Sequence, residues 1–398
     1  MLLKGLKVVD FTAYIAGPGA AAILGDWGAE VIKVERPGGD NMRHVFADLK
    51  NDLGANPTFE LDNRGKRGVV LDITKPAGRD ALAKLAETAD VFLTNTRPAS
   101  LKKYGLDEPT LRKINPRLVY AVITGYGLEG PDAHLPGFDV TAFWARSGIG
   151  YMTAPKGAEP FMRTSGMGDH STSLATVSAI LAALYEREKT GKGRLVQTSL
   201  LATGVYLWGS DLAVQLKFGR VASVRPRDNP INALANHFKS ADDHWFVHNP
   251  RGGSGGWEAF LKVAGRPDLI TDERFASGKA RRANARELAA ELDAAFAAMP
   301  MAEIARRLDE ADLVWAPMQT PAEVDKDPQI AAAGAFVAVE DGQGGTYRSP
   351  AAPARFPGAD AEVRPRAPRL GEHTREVLLE MGYSEADVES MFSDGAAA

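Results

Sequence analysis

Residues 7–35, KVVDFTAYIAGPGAAAILGDWGAEVIKVE, decide the fold class. Lys7-Val8-Val9-Asp10-Phe11 is a short β-branched run, and Val31-Ile32-Lys33-Val34-Glu35 is a second. Between them, Gly17-Pro18 opens a small-residue helix carrying Ala20, Ala22, Leu24 and Trp27. Strand, helix, strand in so short a span predicts a parallel βαβ unit.

The pattern continues outward. Val69-Val70-Leu71-Asp72, Val91-Phe92-Leu93-Thr94, Leu118 to Ile123 and Leu195-Val196-Gln197-Thr198 read as further strands. Helices are expected from Pro76 to Glu87, beyond Asp169 through Leu174, Val177, Ile180, Leu181 and Leu184, and from Leu200 to Phe218. Strands apolar on both faces and separated by helices predict a parallel sheet covered on both sides, an α/β fold. Near Arg220 the character changes to a linker rich in Pro, Asn and Arg. Trp245-Phe246-Val247 then predicts a hairpin strand, followed by helices over Trp257–Ala264 and through Leu288, Leu292 and Phe296. Arg220 to Leu313 is thus expected to form a smaller domain, Ser349 to Pro368 a loop-like connection, and Ser393 to Ala398 a frayed tail.

Composition narrows the chemistry. Of 398 residues, 44% are hydrophobic and 25% charged, a soluble globular balance, and the formal charge of 47 − 51 = −4 gives no reason to expect nucleic acid as a partner. With no cysteine, the chain has no disulfide, thiolate metal site or cysteine nucleophile. No apolar run approaches the ~20 residues that span a bilayer. Met1 to Leu6 leads directly into a strand, so no membrane association is expected and the cytoplasm is the expected location.

Four constellations could carry function. Asp169, in Ser165-Gly166-Met167-Gly168-Asp169-His170-Ser171, stands at a helix start. By local sequence it is an N-cap, but glycines that let a ligand approach, and a helix dipole that favours an anion, also suit a reactive carboxylate. Gly252-Gly253-Ser254-Gly255-Gly256 satisfies the G-x-S-x-G pattern of a nucleophilic serine, although a glycine loop matches it trivially. His244 and His248 lie i, i+4 on a strand, too far apart to share a metal, and with Asp242 and Asp243 they predict a turn and an exposed strand; no metal site is expected. Basic residues cluster at Arg36 and Arg43, at Asn63-Arg64-Gly65-Lys66-Arg67 and at Arg97, which suits a phosphate-bearing ligand at the strand ends of an open sheet. The first strand–helix turn lacks the dinucleotide and P-loop glycine patterns, so NAD and ATP are poor candidates.

In order along the chain, Leu6 to Phe11 with Ala16-Gly17-Pro18, Gly28 to Glu35, Asn63 to Arg67, Asn115 to Val119, Gly168-Asp169, Thr190 to Gly193 and Leu370 to Thr374 resemble the family III CoA-transferases. That group includes formyl-CoA transferase, carnitine CoA-transferase, 2-hydroxyacyl-CoA transferases and α-methylacyl-CoA racemases. The resemblance, from about Leu6 to Gly382, implies a large Rossmann-like CoA-binding domain of residues 1–219 and 325–398 and a small α+β domain of residues 220–324. It also implies an interlocked homodimer. Coenzyme A and acyl-CoA would be substrates, with a carboxylic acid as the other partner and no permanently bound cofactor.

Asp169 matches the family nucleophile, which forms an acyl anhydride and then an aspartyl-CoA thioester. Carried over by position, Arg36 would bind phosphate or adenine-ribose groups. Leu71, Asp72, Ile73 and Thr74, with Asn95, Thr96 and Arg97, would line the adenine end, and Lys103 would stand where the family often has Arg. Ile15 and Ala16 would touch the pantetheine, and Phe138 and Asp139 would border the ligand. Two departures matter. Ile15 replaces the Gln of formyl-CoA transferase, which implies a more apolar pocket, and Phe138-Asp139 stands where racemases carry His before Asp, which removes one proton-shuttling partner. An acyl-CoA racemase or isomerase, a serine hydrolase using Ser254 and a non-catalytic CoA-binding protein are the rival expectations.

Overall fold

The computed structural model describes residues 1–45, 56–162, 166–220, 224–250, 256–358 and 363–398, which group into two compact units. The first comprises Met1–Tyr151, Phe161–Val221 and Ala331–Ala398; the second comprises Met152–Pro160 and Ala222–Ile330.

The first unit is built on six strands: β1 (Lys7–Phe11), β2 (Glu30–Glu35), β3 (Arg67–Val70), β4 (Val91–Thr94), β5 (Val119–Thr124) and β6 (Leu195–Ser199). Their order is β3-β2-β1-β4-β5-β6 and every pairing is parallel, with Val8 opposite both Val31 and Val91. The fold is α/β, as the sequence predicts. Alternate residues of β1, β2, β4 and β5 enter different cores. Val8, Val31, Val91, Leu93 and Ala121 pack with α1 (Ala16–Asp26) and the later helix Met167–Thr190. Val9, Ile32, Val69, Phe92 and Tyr120 pack with α2 (Pro76–Thr88), α3 (Pro98–Lys103), α4 (Glu108–Ile114) and the helices Thr374–Glu380 and Glu385–Ser393. Burial on both faces is why these strands read as continuous apolar runs.

Strand order reverses between β1 and β4, where an open α/β sheet presents a crevice at its carboxyl edge. Long helix α5 (Met167–Thr190) lies against α1 on this side of the sheet. The stretch expected as one helix from Leu200 to Phe218 is two, α6 (Leu200–Leu207) and α7 (Gly209–Phe218), parted where Trp208 leaves helical geometry at φ −105°, ψ 24°. Asp139–Arg146 winds as a π-helix, which no sequence period announced.

In the second unit, β7 (Asn236–Lys239), β8 (Trp245–His248) and β9 (Trp315–Pro317) form an antiparallel sheet. Its core joins Phe238 and Phe246 to Trp257, Phe260, Leu288, Leu292 and Phe296. Back in the first unit, β10 (Phe336–Glu340), β11 (Thr346–Pro350) and β12 (Val363–Arg364) make a small sheet, so the proline-bearing segment after Ser349 is not only loop.

Two further expectations are corrected. Ser393 to Ala398 is not frayed: Ala396 and Ala397 are buried, Ala397 bridges to Leu71, and the Ala396 carbonyl accepts from the Asp72 amide at 2.9 Å. Nor is His248 on an exposed strand. It is buried, stacks on Phe260 at 4.0 Å between centroids, and its Nδ1 lies 2.8 Å from the Leu234 carbonyl oxygen.

Candidate active site

The crevice begins where β1 ends. Asn95, just past β4, donates to the Ala13 carbonyl at 2.7 Å and accepts from the Ala13 amide at 3.0 Å, tying together the two strands between which the order reverses. The next residue, Tyr14, has φ +68°. Its amide donates to Asp40 Oδ1 at 3.1 Å, and Asp40 Oδ2 pairs with fully buried Lys33 at 3.1 Å. Lys66 Nζ lies 2.7 Å from Asp10 Oδ2, both wholly buried. Burial pushes Lys66 down to about 8 against the opposing pull of Asp10, while Asp10 stays below its ordinary value because Lys66 and Lys33 outweigh its own burial. The pair is therefore ionic at neutral pH.

Ile15 and Ala16 lead into α1, whose first turn is seated against the first turns of α5. Ser173 Oγ donates to the Ala16 carbonyl at 2.7 Å, and a β-carbon on Gly19 would come within 2.8 Å of that hydroxyl. Small residues bring the two helices this close. The cap of α5 is Gly166 at φ +72°, so Asp169 is not the N-cap but the third helical residue. Gly168 permits a closer contact still: a β-carbon there would fall 2.2 Å from the Phe143 ring and 2.3 Å from Asp139 Oδ1. That space lets the Gly168 amide donate to Asp139 at 3.2 Å.

A β-carbon on Gly166 would lie 3.0 Å from Ile15 Cδ1 and 3.8 Å from Asp169 Oδ2, so both side chains border one space. Burial pushes Asp169 up to about 7; Asp139 and, less strongly, Asp62 add to the rise, and His170 opposes it. Asp139 is itself raised by burial, against the Gly168 amide. His170 is raised, first by its 3.0 Å bond to buried Asp62 and despite its own burial. The site therefore holds a carboxylate whose charge is poorly solvated and partly opposed by a neighbour. Neutralising that charge by forming an acyl bond relieves both costs.

The residues expected to hold ligand are arranged as follows. Arg36 follows β2 and is exposed, bonded to the Gly39 carbonyl at 3.3 Å and to the Asn41 side chain. Leu71 is in the core and Asp72 folds onto Thr74, accepting its amide at 2.9 Å and its hydroxyl at 2.7 Å; Ile73 is half-buried and Thr74 exposed. The Thr96 amide donates to Thr94 Oγ1 at 3.1 Å, while Arg97 stands exposed ahead of α3. Lys103 closes α3 with its ammonium 5.1 Å from the Tyr104 ring. Arg36, residues 71–74 and residues 95–97 thus follow the ends of β2, β3 and β4 at one edge of the sheet. Phe138 caps the π-helix, 51% exposed, beside buried Asp139.

The cluster at residues 63–67 is not available for phosphate. Arg64 grips Asp26, at 2.6 Å through Nη2, Lys66 is bound to Asp10, and Arg67 is shared by Glu30, Glu376 and Glu380; Arg43 is likewise held by Glu35 at 2.6 Å. Ser165 and Gly252 to Gly255, including Ser254, lie outside the described residues. His244 sits in a turn with Nδ1 3.3 Å from Glu323, away from the fully enclosed His248. Sequence reasoning passed over Tyr14, Asp40, Asp62 and the role of His170, because each acquires its partner only through tertiary contact.

The sequence profile of CoA-transferase family III matches residues 3–374. The (R)-2-hydroxy-4-methylpentanoate CoA-transferase of Clostridioides difficile is 33% identical, over 98% of this chain and 97% of its own length. The cinnamoyl-CoA:phenyllactate CoA-transferase of Clostridium sporogenes is also 33% identical, over 99% and 96%. A crystal structure of a CAIB/BAIF family protein from Brucella suis superposes with a TM-score of 0.85 at 31% identity, covering 95% of this chain and 99% of that one.

Proposed function

The chain belongs to CoA-transferase family III, and from that premise we propose that it moves CoA from an acyl-CoA to a free carboxylic acid through covalent intermediates on Asp169. The observation that carries this reading is the placement of Asp169: a half-buried carboxylate, destabilised by desolvation and a like charge, in a glycine-flanked helical turn that borders one space with Ile15.

The Asp169 carboxylate attacks the thioester carbonyl, and the C–S bond breaks to release CoA thiolate and leave a mixed anhydride. The thiolate then attacks the aspartyl carbonyl, which frees the donor carboxylate and leaves an aspartyl-CoA thioester. The acceptor carboxylate attacks that thioester, forming a second anhydride and thiolate. Attack of this thiolate on the acceptor carbonyl yields the new acyl-CoA and restores Asp169. No net proton is exchanged and no bound cofactor is needed. Both intermediates hydrolyse readily, so exclusion of water from the crevice is part of the reading.

CoA would lie along the carboxyl edge of the first unit, its phosphates toward Arg36 and Arg97. Ile15 and Phe138 favour an acid with an apolar body, a branched or aryl 2-hydroxy acid, and the two named relatives act on acids of that kind by name. A second copy of the chain would cover α6 and α7, where Tyr206, Leu216 and Phe218 are exposed and no residue of α7 is buried, giving the interlocked homodimer. Use of the intracellular CoA-thioester pool would put the enzyme in the cytoplasm.

The test is mass spectrometry after incubation with a panel of acyl-CoAs followed by hydroxylamine. A hydroxamate on Asp169 is expected, and it would also identify the accepted donors. Full CoA exchange by Asp169→Ala would sink the mechanism.

A further inference from the structure

Resting on the CoA-transfer reading, we propose that Tyr14 is a specificity-determining residue that forms with Phe138 an aromatic wall selecting aryl or branched acyl groups beside Asp169. Among the described residues, Tyr14 is one of three non-glycine residues with positive φ, in a region that a bulky L-residue enters only when its surroundings force it. The forcing is visible on every side. Asn95 fixes the preceding peptide through both the amide and the carbonyl of Ala13. Asp40 accepts the Tyr14 amide and is anchored by buried Lys33. Asn41 donates to the Tyr14 hydroxyl at 2.6 Å.

A glycine would satisfy the backbone without strain, so what the tyrosine adds is its ring. That ring is 39% exposed and meets the 51%-exposed Phe138 edge-on, with centroids 5.4 Å apart and planes at 84°. The chain neighbours of the two rings, Ile15 and Asp139, reach the α5 turn that carries Asp169. Two half-exposed aromatic rings beside Ile15 offer an acyl group flat apolar surface, which rewards an aryl or branched body over a short one. Asn41 also accepts from Arg36, so the ring is tied to the side chain proposed to hold CoA phosphate.

The experiment measures Asp169 acylation in single turnover with 3-phenylpropionyl-CoA and propionyl-CoA, taking the ratio of their kcat/KM values. Wild type is expected to favour the aryl donor. Tyr14→Gly, which fits φ +68°, should lower the ratio about tenfold, whereas Tyr14→Phe, which keeps the ring, should stay within about twofold of wild type. An unchanged ratio in soluble Tyr14→Gly, or no aryl preference in wild type, overturns the proposal. If Tyr14→Gly does not fold, Phe138→Ala is read by the same ratio, with the same two outcomes. The two readings fail separately: no hydroxamate from any donor defeats CoA transfer, while hydroxamate formation with an unchanged ratio defeats only the role of Tyr14.

Discussion

Replacing Asp169 with Asn should make the protein more stable, and by an amount that grows with pH. Asp169 has its folded value pushed up to about 7 from an ordinary 3.8. An acid whose folded value is raised binds its proton more tightly folded than unfolded, so the folded state loses stability as pH climbs from about 3.8 to about 7. Above that window the loss is complete; below it, absent. A difference of roughly three units at 1.36 kcal/mol each is about 4 kcal/mol, and relaxation around a partly accessible group reduces the expectation to about 2–4 kcal/mol. Asn keeps the shape and carries no charge. Urea unfolding at fixed protein concentration, at pH 5 and pH 8.5, should therefore show Asp169→Asn ahead of wild type at both, with the larger margin at pH 8.5. On the proposed mechanism, acylation of the wild-type enzyme should rise between pH 5 and pH 8.5, since only the ionised carboxylate would attack. Equal stability of variant and wild type at pH 8.5, or a margin independent of pH, would refute the claim that Asp169 is held at a cost in stability.

Two other substitutions separate binding from structure. Arg36→Ala should raise KM for acyl-CoA several-fold with little change in Tm, because its partners are a carbonyl and an amide side chain, whereas Arg64→Ala leaves buried Asp26, among the described residues, with only the 3.5 Å contact of Arg364 and should lower Tm by several degrees. Gly168→Ala drives a methyl into Phe143 and Asp139; a destabilisation of about 1–3 kcal/mol, with slower acylation in the hydroxylamine assay, is the expected result.

The sheet was legible because its strands are buried on both faces: Val91–Thr94 is found with the bounds its apolar run predicts. Elements whose signal is local failed where tertiary contact decides. Trp208 interrupts an apparently continuous helix with its indole donating to the Ser147 carbonyl at 2.8 Å, and Ala396–Ala398, small and featureless in sequence, dock on β3. Charge was the least readable property. Arg64 and Lys66 look like ligand cations in a string of letters, and only the fold reveals Asp26 and Asp10 opposite them. Asp169 shows the converse. Its sequence context is that of a cap; the desolvation that would make it reactive arises only in the folded chain, and the like charge that adds to it comes from Asp139 and Asp62, distant along the chain.

The Lys66–Asp10 pair has an evolutionary consequence. With both groups wholly buried, losing either alone strands the other's charge in the protein interior, typically a penalty of about 3–5 kcal/mol, whereas exchanging both for apolar residues of matching volume can be neutral. A lineage can leave this arrangement only by a double substitution or through an intermediate that folds poorly. The two positions, 56 residues apart in sequence, should therefore vary together or not at all among descendants of this chain.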